Sequence, residues 1–180
     1  VYLPQLTMQH GGVGGGSLME SQVVGVKKGQ SGEPGELTGE YDLTHDQGVL
    51  YQNADSGIYG KLTDESVYQE GRAVEIATKD QIKTGKAQII ANVEGGETQA
   101  YDIEIVKIYD DGDDSNRDMM IRVTDKELLE KTGGIVQGMS GSPILQNGKL
   151  VGAVTHVLIN DPQRGYGIGI ERMLETARSL

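Results

Sequence analysis

The chain has 180 residues with a formal net charge of −11, 27 Gly against 4 Pro, 8 Tyr, and no Phe, Trp or Cys. That length lets one domain or a two-lobed barrel bury a core without staples. The acidic balance excludes a phosphate-backbone partner, which needs clustered Lys and Arg, and the lack of Cys excludes disulfides, thiolate metal sites and a Cys nucleophile. An aliphatic, Tyr-containing apolar set favours strands, and abundant Gly suits tight turns, so an all-β fold with few helices is expected. No run of about 18 apolar residues is present, so no helix is expected to cross a membrane. A start at Val1 without an apolar leader reads as a processed or excised piece, any anchor lying upstream.

Val1–Gln9 reads as a possible short strand and His10-Gly11-Gly12-Val13-Gly14-Gly15-Gly16-Ser17 as flexible linker, so residues 1–17 are expected to form an arm. Leu18–Lys28 reads as a strand closed by Gly29 and the Gly32-Glu33-Pro34-Gly35 turn cluster. Glu36–Leu62 is polar and irregular, with short strands expected at Gly35–Tyr41 and Gly57–Leu62. Arg72–Thr78, Gly85–Val93, a Glu94-Gly95-Gly96-Glu97 turn and Thr98–Tyr109 suggest a meander with a hairpin. In its last strand Tyr101, Ile103 and Ile105 alternate with Asp102 and Glu104 before the apolar set shifts to Val106 and Ile108, the mark of a bulge or two-sided burial.

Asp110–Asp118 is an acidic loop and Met119–Val123 a strand. Thr124 can cap a short helical turn with Glu127 at the capping-box position, ended by Gly133-Gly134. Ser142–Gln146 and Lys149–Leu158 are strands joined by Asn147-Gly148, the strongest two-residue hairpin signal. Asn160-Asp161-Pro162 reads as a loop, Tyr166–Ile170 as a strand, and Glu171–Leu180 as a helix with Met173, Leu174 and Ala177 on one face.

Gly138-Met139-Ser140-Gly141-Ser142-Pro143, followed by strand, hairpin and strand, is the nucleophile region expected of a chymotrypsin-like serine protease. The chemistry explains the glycines: Ser140 must expose Oγ in a tight turn while the N–H groups of Gly138 and Ser140 converge as an oxyanion hole. A plain Gly-rich turn is the competing reading.

From Thr132 to Ile144, with Gln146-Asn147-Gly148-Lys149, Gly152-Ala153-Val154-Thr155-His156-Val157 and Asn160-Asp161-Pro162, the sequence resembles the stage IV sporulation protein B peptidases of endospore-forming Firmicutes. Weaker similarity runs back through Tyr101–Val106, Gly57-Ile58-Tyr59-Gly60 and Gly32–Glu36. The resemblance implies a chymotrypsin-like double β-barrel with a short C-terminal helix, the first barrel over roughly residues 18–95 and the second over 96–180. It implies a secreted, self-processing serine endopeptidase acting between the mother-cell and forespore membranes. Such enzymes cut the regulator of a membrane-embedded protease, which then releases a late sigma factor. No metal or organic cofactor is implied, and a membrane would be met only through segments outside this chain.

In that family an Asp upstream assists the Ser, and Asp125 occupies the matching place fifteen residues before Ser140. Read from the residues alone, Asp125 equally complements a helix dipole. The family's His precedes the rest of the domain in a Gly-Ala-Leu-Gly-His segment, which makes His10 the nearest match, although Met8-Gln9 stands in place of the small pair. An exposed His in an arm is the alternative. His45 lies in a polar loop and is the weaker candidate base. His156 falls sixteen residues after Ser140, where related folds build the wall of the primary specificity pocket; a satisfied core histidine is the other reading. Asp110-Asp111-Gly112-Asp113-Asp114 offers hard oxygens for calcium but lacks EF-hand spacing, so a solvated loop is preferred. A barrel that keeps its groove and binds an extended peptide without cleaving it is the rival function.

Overall fold

The computed structural model describes residues 15–54, 56–69, 73–109 and 116–179. The first strands are β1 (Gly16–Lys27), β2 (Glu36–Ala54) and β3 (Gly57–Leu62), forming an antiparallel sheet in the order β1-β2-β3. β2 is a single strand of 19 residues where the sequence reading has only a short strand at Gly35–Tyr41, while β3 falls on the expected Gly57–Leu62. Most of it is exposed on both faces, so burial imposes no alternation on its sequence, and pairing with β1 and β3 holds it extended.

Next come β4 (Gly85–Ala91), β5 (Gln99–Ile108), β6 (Met119–Val123), β7 (Pro143–Gln146), β8 (Lys149–Leu158) and β9 (Asp161–Gly169). They close into a barrel in the order β4-β5-β6-β9-β8-β7, every pair antiparallel. Of the double barrel that the resemblance implies, the described residues show one barrel closed by six strands, which includes β4, and β1–β3 as a separate open sheet. Inward faces supply Ile89, Ile103, Ile105, Met119, Ile121 and Ile144, each at most 1% exposed, an aliphatic core as the composition requires. The shift anticipated in β5 is a bulge between Ile105 and Lys107.

Two other expectations change. Residues 73–78 form no strand; Ile76 makes a single parallel bridge to Leu150 of β8, the Ala77 amide donating to Leu150 O and the Leu150 amide to Glu75 O. Asp161-Pro162 lies in β9 rather than in a loop. Proline is tolerated at the start of that strand because it lacks only a donor, while its carbonyl accepts from the Ile135 amide at 2.7 Å.

Helix α1 (Ser66–Gln69) is one turn. Helix α2 (Lys126–Thr132) links β6 to β7 across one end of the barrel; its cap is Asp125 rather than Thr124, and Gly133 ends it with φ 75°. Helix α3 (Ile170–Arg178) packs Ile170 and Met173 on Leu150, Ala153 and Ile168, while Ala177 stays exposed. Arg172 fixes it through Asp118, which also accepts from the Gly169 amide. No helix among the described residues is long and apolar enough to cross a membrane.

Candidate active site

Because the barrel is antiparallel, β4, β6 and β8 finish at the end where β5, β7 and β9 begin. That end gathers the β4–β5 turn, the Thr124–Ser142 connection and the β8–β9 turn. The Ser140 turn and Asp125 are therefore brought to the same end of the barrel.

The segment before Ser140 is held from several sides. Gln137 donates to Gly35 O and accepts from the Leu37 amide, each at 2.9 Å, and Gly29 donates to Thr132 O at 2.8 Å. Gly32 donates to Ile159 O and Ser31 Oγ to Asn160 O. These bonds clamp the β1–β2 connection onto the approach to the turn. Glycine is required where the strands touch: a Cβ at Gly35 would lie 2.4 Å from Gly29 N. The β4–β5 turn is tied in by reciprocal Val23–Gly95 backbone bonds and by a Glu94–Lys131 ion pair at 2.9 Å. Glu94 and Glu127 both hold the Lys131 ammonium charged, raising its pKa, whereas burial pushes the Tyr101 phenol up.

Within the turn Met139 N donates to Val136 O and Ser142 N to Met139 O, both at 3.1 Å. Gly141 N donates to Val154 O and Val154 N to Ser142 O, fastening the turn to β8. Gly138 and Gly141 have φ of 97° and 88°, a region that favours glycine. The amides of Gly138 and Ser140 donate to no acceptor among the described residues, so the two predicted oxyanion donors are not spent inside the fold. Ser140 is half-buried, and its hydroxyl donates to the Thr155 carbonyl at 2.7 Å. Thr155 Oγ1 and Ser142 Oγ are buried without a partner among the described residues.

Asp125 Oδ1 accepts from the Leu128 amide at 3.0 Å and Oδ2 from the Asp102 amide at 3.2 Å. The carboxylate thus caps α2 and ties it to β5, and it contacts neither Ser140 nor a histidine among the described residues. His10 lies outside those residues, as do Asp110 to Asp114. His45 sits on β2 with Nε2 2.7 Å from Asp64 Oδ2, and this pairing raises its pKa. His156 is exposed on β8, one residue beyond the carbonyl that receives Ser140. Thr155 is the neighbour that sequence reasoning missed; in an apolar strand it reads only as a β-former.

The description SpoIVB peptidase S55 matches residues 5–174. The chain belongs to this family. It is a serine peptidase with a chymotrypsin-like fold. A search of curated proteins finds no match. Among solved structures, the active form of the Rv3671c protease from M. tuberculosis is similar at 15% identity and TM-score 0.51, covering 88% of this chain and 78% of that one. Its inactive form matches at 14% identity and TM-score 0.50, covering 88% of this chain and 87% of that one. At such identity these likenesses bear on the peptidase's fold alone.

Proposed function

We propose that this peptidase is a serine endopeptidase of the sporulation type, cutting a regulatory protein whose loss releases a membrane-embedded protease and hence a late sigma factor. The reading extends to secretion into the space between mother-cell and forespore membranes and to self-cleavage; the family resemblance supports both. One observation carries the chemistry: a tight turn presents Ser140 Oγ beside two amides, at Gly138 and Ser140, that are unspent among the described residues.

In the proposed reaction Ser140 Oγ leaves the Thr155 carbonyl and attacks the substrate carbonyl, giving its proton to the His10 imidazole. The Gly138 and Ser140 amides hold the oxyanion. Asp125 orients the imidazole and favours its cationic form. The protonated imidazole then serves the leaving amine, and water releases the acyl group. His156 stands beside the pocket for the substrate side chain.

The rival reading is a peptide-binding barrel without turnover. It draws on the Ser140 hydroxyl being bonded to the Thr155 carbonyl, with no imidazole bonded to it among the described residues. A fluorophosphonate probe separates the two. Labelling of the native chain that vanishes in Ser140→Ala and His10→Ala but survives in His45→Ala is expected; persistent failure to label would establish the binding module.

A further inference from the structure

A substrate carbonyl at the Gly138 and Ser140 amides brings the side chain of its own residue down beside Ser140. Two segments flank that space: Gly134–Gly138, which leads into the turn, and β8 from Thr155 to Val157, which receives the Ser140 hydroxyl. Its floor is β9 at Gly165, the register partner of Val157. A Cβ placed on Gly165 would lie 2.6 Å from Ile135 Cδ1 and 2.6 Å from the His156 carbonyl oxygen. Ile135 therefore lies directly against the glycine backbone. It is 2% exposed, and the partly buried Val157 packs against the core cluster to which Ile135 belongs. Ile135 is held there from below, since its amide is bonded to Pro162 O at 2.7 Å.

We infer that Ile135, with Val157 and Gly165, closes the floor of the primary specificity pocket, so that the peptidase selects a small uncharged residue, of Ala, Ser or Val size, immediately before the cleaved bond. The inference rests on the protease reading above. A long side chain meets Ile135 Cδ1 before it is accommodated. A carboxylate is set against Ile135 and Val157, apolar side chains that offer no donor, and gives up its water without a partner. In an apolar pocket a single methylene changes discrimination by about 10–200-fold, so one Cδ1 atom is enough to set a size limit.

The test needs no turnover. Fluorescein-labelled peptides, identical except for a C-terminal Ala, Val, Leu or Phe, present a product carboxylate to the two amides, and anisotropy reads their binding. The native chain is expected to hold the Ala and Val peptides at least about tenfold more tightly than the Phe peptide. Ile135→Val, which removes Cδ1 alone, should bring the Leu peptide up about tenfold relative to Ala, and Ile135→Ala should admit Phe. If Ile135→Ala fails to fold, the valine variant decides. Equal or tighter binding of Phe by the native chain, an unchanged order in the variants, or no binding of any peptide overturns the inference. Fluorophosphonate labelling of the same preparation keeps the two readings apart. Labelling without a size preference removes the pocket and leaves the protease; a size preference without labelling supports the pocket and removes hydrolysis.

Discussion

The Ser140 hydroxyl donates to the main-chain carbonyl of Thr155 at 2.7 Å, while the Gly138 and Ser140 amides donate to no acceptor among the described residues. Attack on a carbonyl requires this proton to leave Thr155, which rotation of the hydroxyl about the Cβ–Oγ bond allows. Ser140→Ala should therefore abolish peptide turnover outright. Its stability cost should be small, about 0.5–1.5 kcal/mol for one hydrogen bond, at the low end because the site is half-buried and water can reach the carbonyl. Urea unfolding beside a turnover assay checks both, and residual turnover in the alanine variant would remove Ser140 as nucleophile.

Gly138 and Gly133 both have positive φ, 97° and 75°, yet they should fail differently when substituted. A Cβ at Gly138 would sit 3.0 Å from Leu37 Cβ, so Leu37 must shift by a few tenths of an ångström, less than a true overlap demands. Gly138→Ala is expected to turn its amide away and lower the labelling rate by about 10²–10³, the usual cost of one oxyanion donor, with a modest loss of stability. At Gly133 the Cβ would lie 2.3 Å from the Gly29 carbonyl oxygen, a backbone atom in the clamp itself. Gly133→Ala should mainly cost stability, read as a larger drop in the denaturation midpoint than Gly138→Ala gives.

Asp125 holds two amides, Leu128 and Asp102, and any catalytic duty would be additional. Asp125→Ala should cost about 0.5–2 kcal/mol through the lost cap, whatever happens to activity. Asp125→Asn keeps an oxygen for Leu128 and removes the charge. If Asp125 orients the general base, the Asn variant should fall about 10⁴-fold in kcat with stability close to native; full activity in the Asn variant would leave Asp125 a capping residue only.

Turn chemistry was the readable part of this sequence. Asn147-Gly148 has φ of 52° and 77°, as its hairpin needs, and Gly138 and Gly141 bracket Ser140 in the conformation expected of an exposed nucleophile. The clamp was not readable, because Gly29, Gly35 and Gln137 meet through backbone bonds between distant segments, and backbone bonds leave no side-chain pattern. The helix cap was misplaced by one residue, since Thr124 and Asp125 are both capping types and only the fold chooses between them. Thr155 was invisible for the same reason as the clamp: its relevant atom is a carbonyl.

His45 and Asp64 form a pair on the three-stranded sheet that should titrate without affecting catalysis. The hydrogen bond to Asp64 raises the imidazole above its usual 6.5, with the charge of Asp64 adding to it. Asp64 falls from 3.8 to about 2, held chiefly by the Ser66 hydroxyl and then by His45. A raised imidazole pKa stabilises the fold fully below pH 6.5 and ceases to do so as pH climbs through the folded value; a lowered carboxyl stabilises it above 3.8 and ceases to do so as pH falls toward 2. The pair is therefore complete between about pH 4 and 6.5. Both groups are accessible to solvent, so the effect on overall stability should be slight. An NMR titration of the His45 ring should give a pKa above 6.5 in the native chain and a lower one in Asp64→Asn, where only the charges of Asp42 and Asp46 still raise it. Because this pair holds no contact with Ser140, labelling by the fluorophosphonate should be unchanged in Asp64→Asn; a parallel loss of labelling would make His45 the general base and displace His10 from that role.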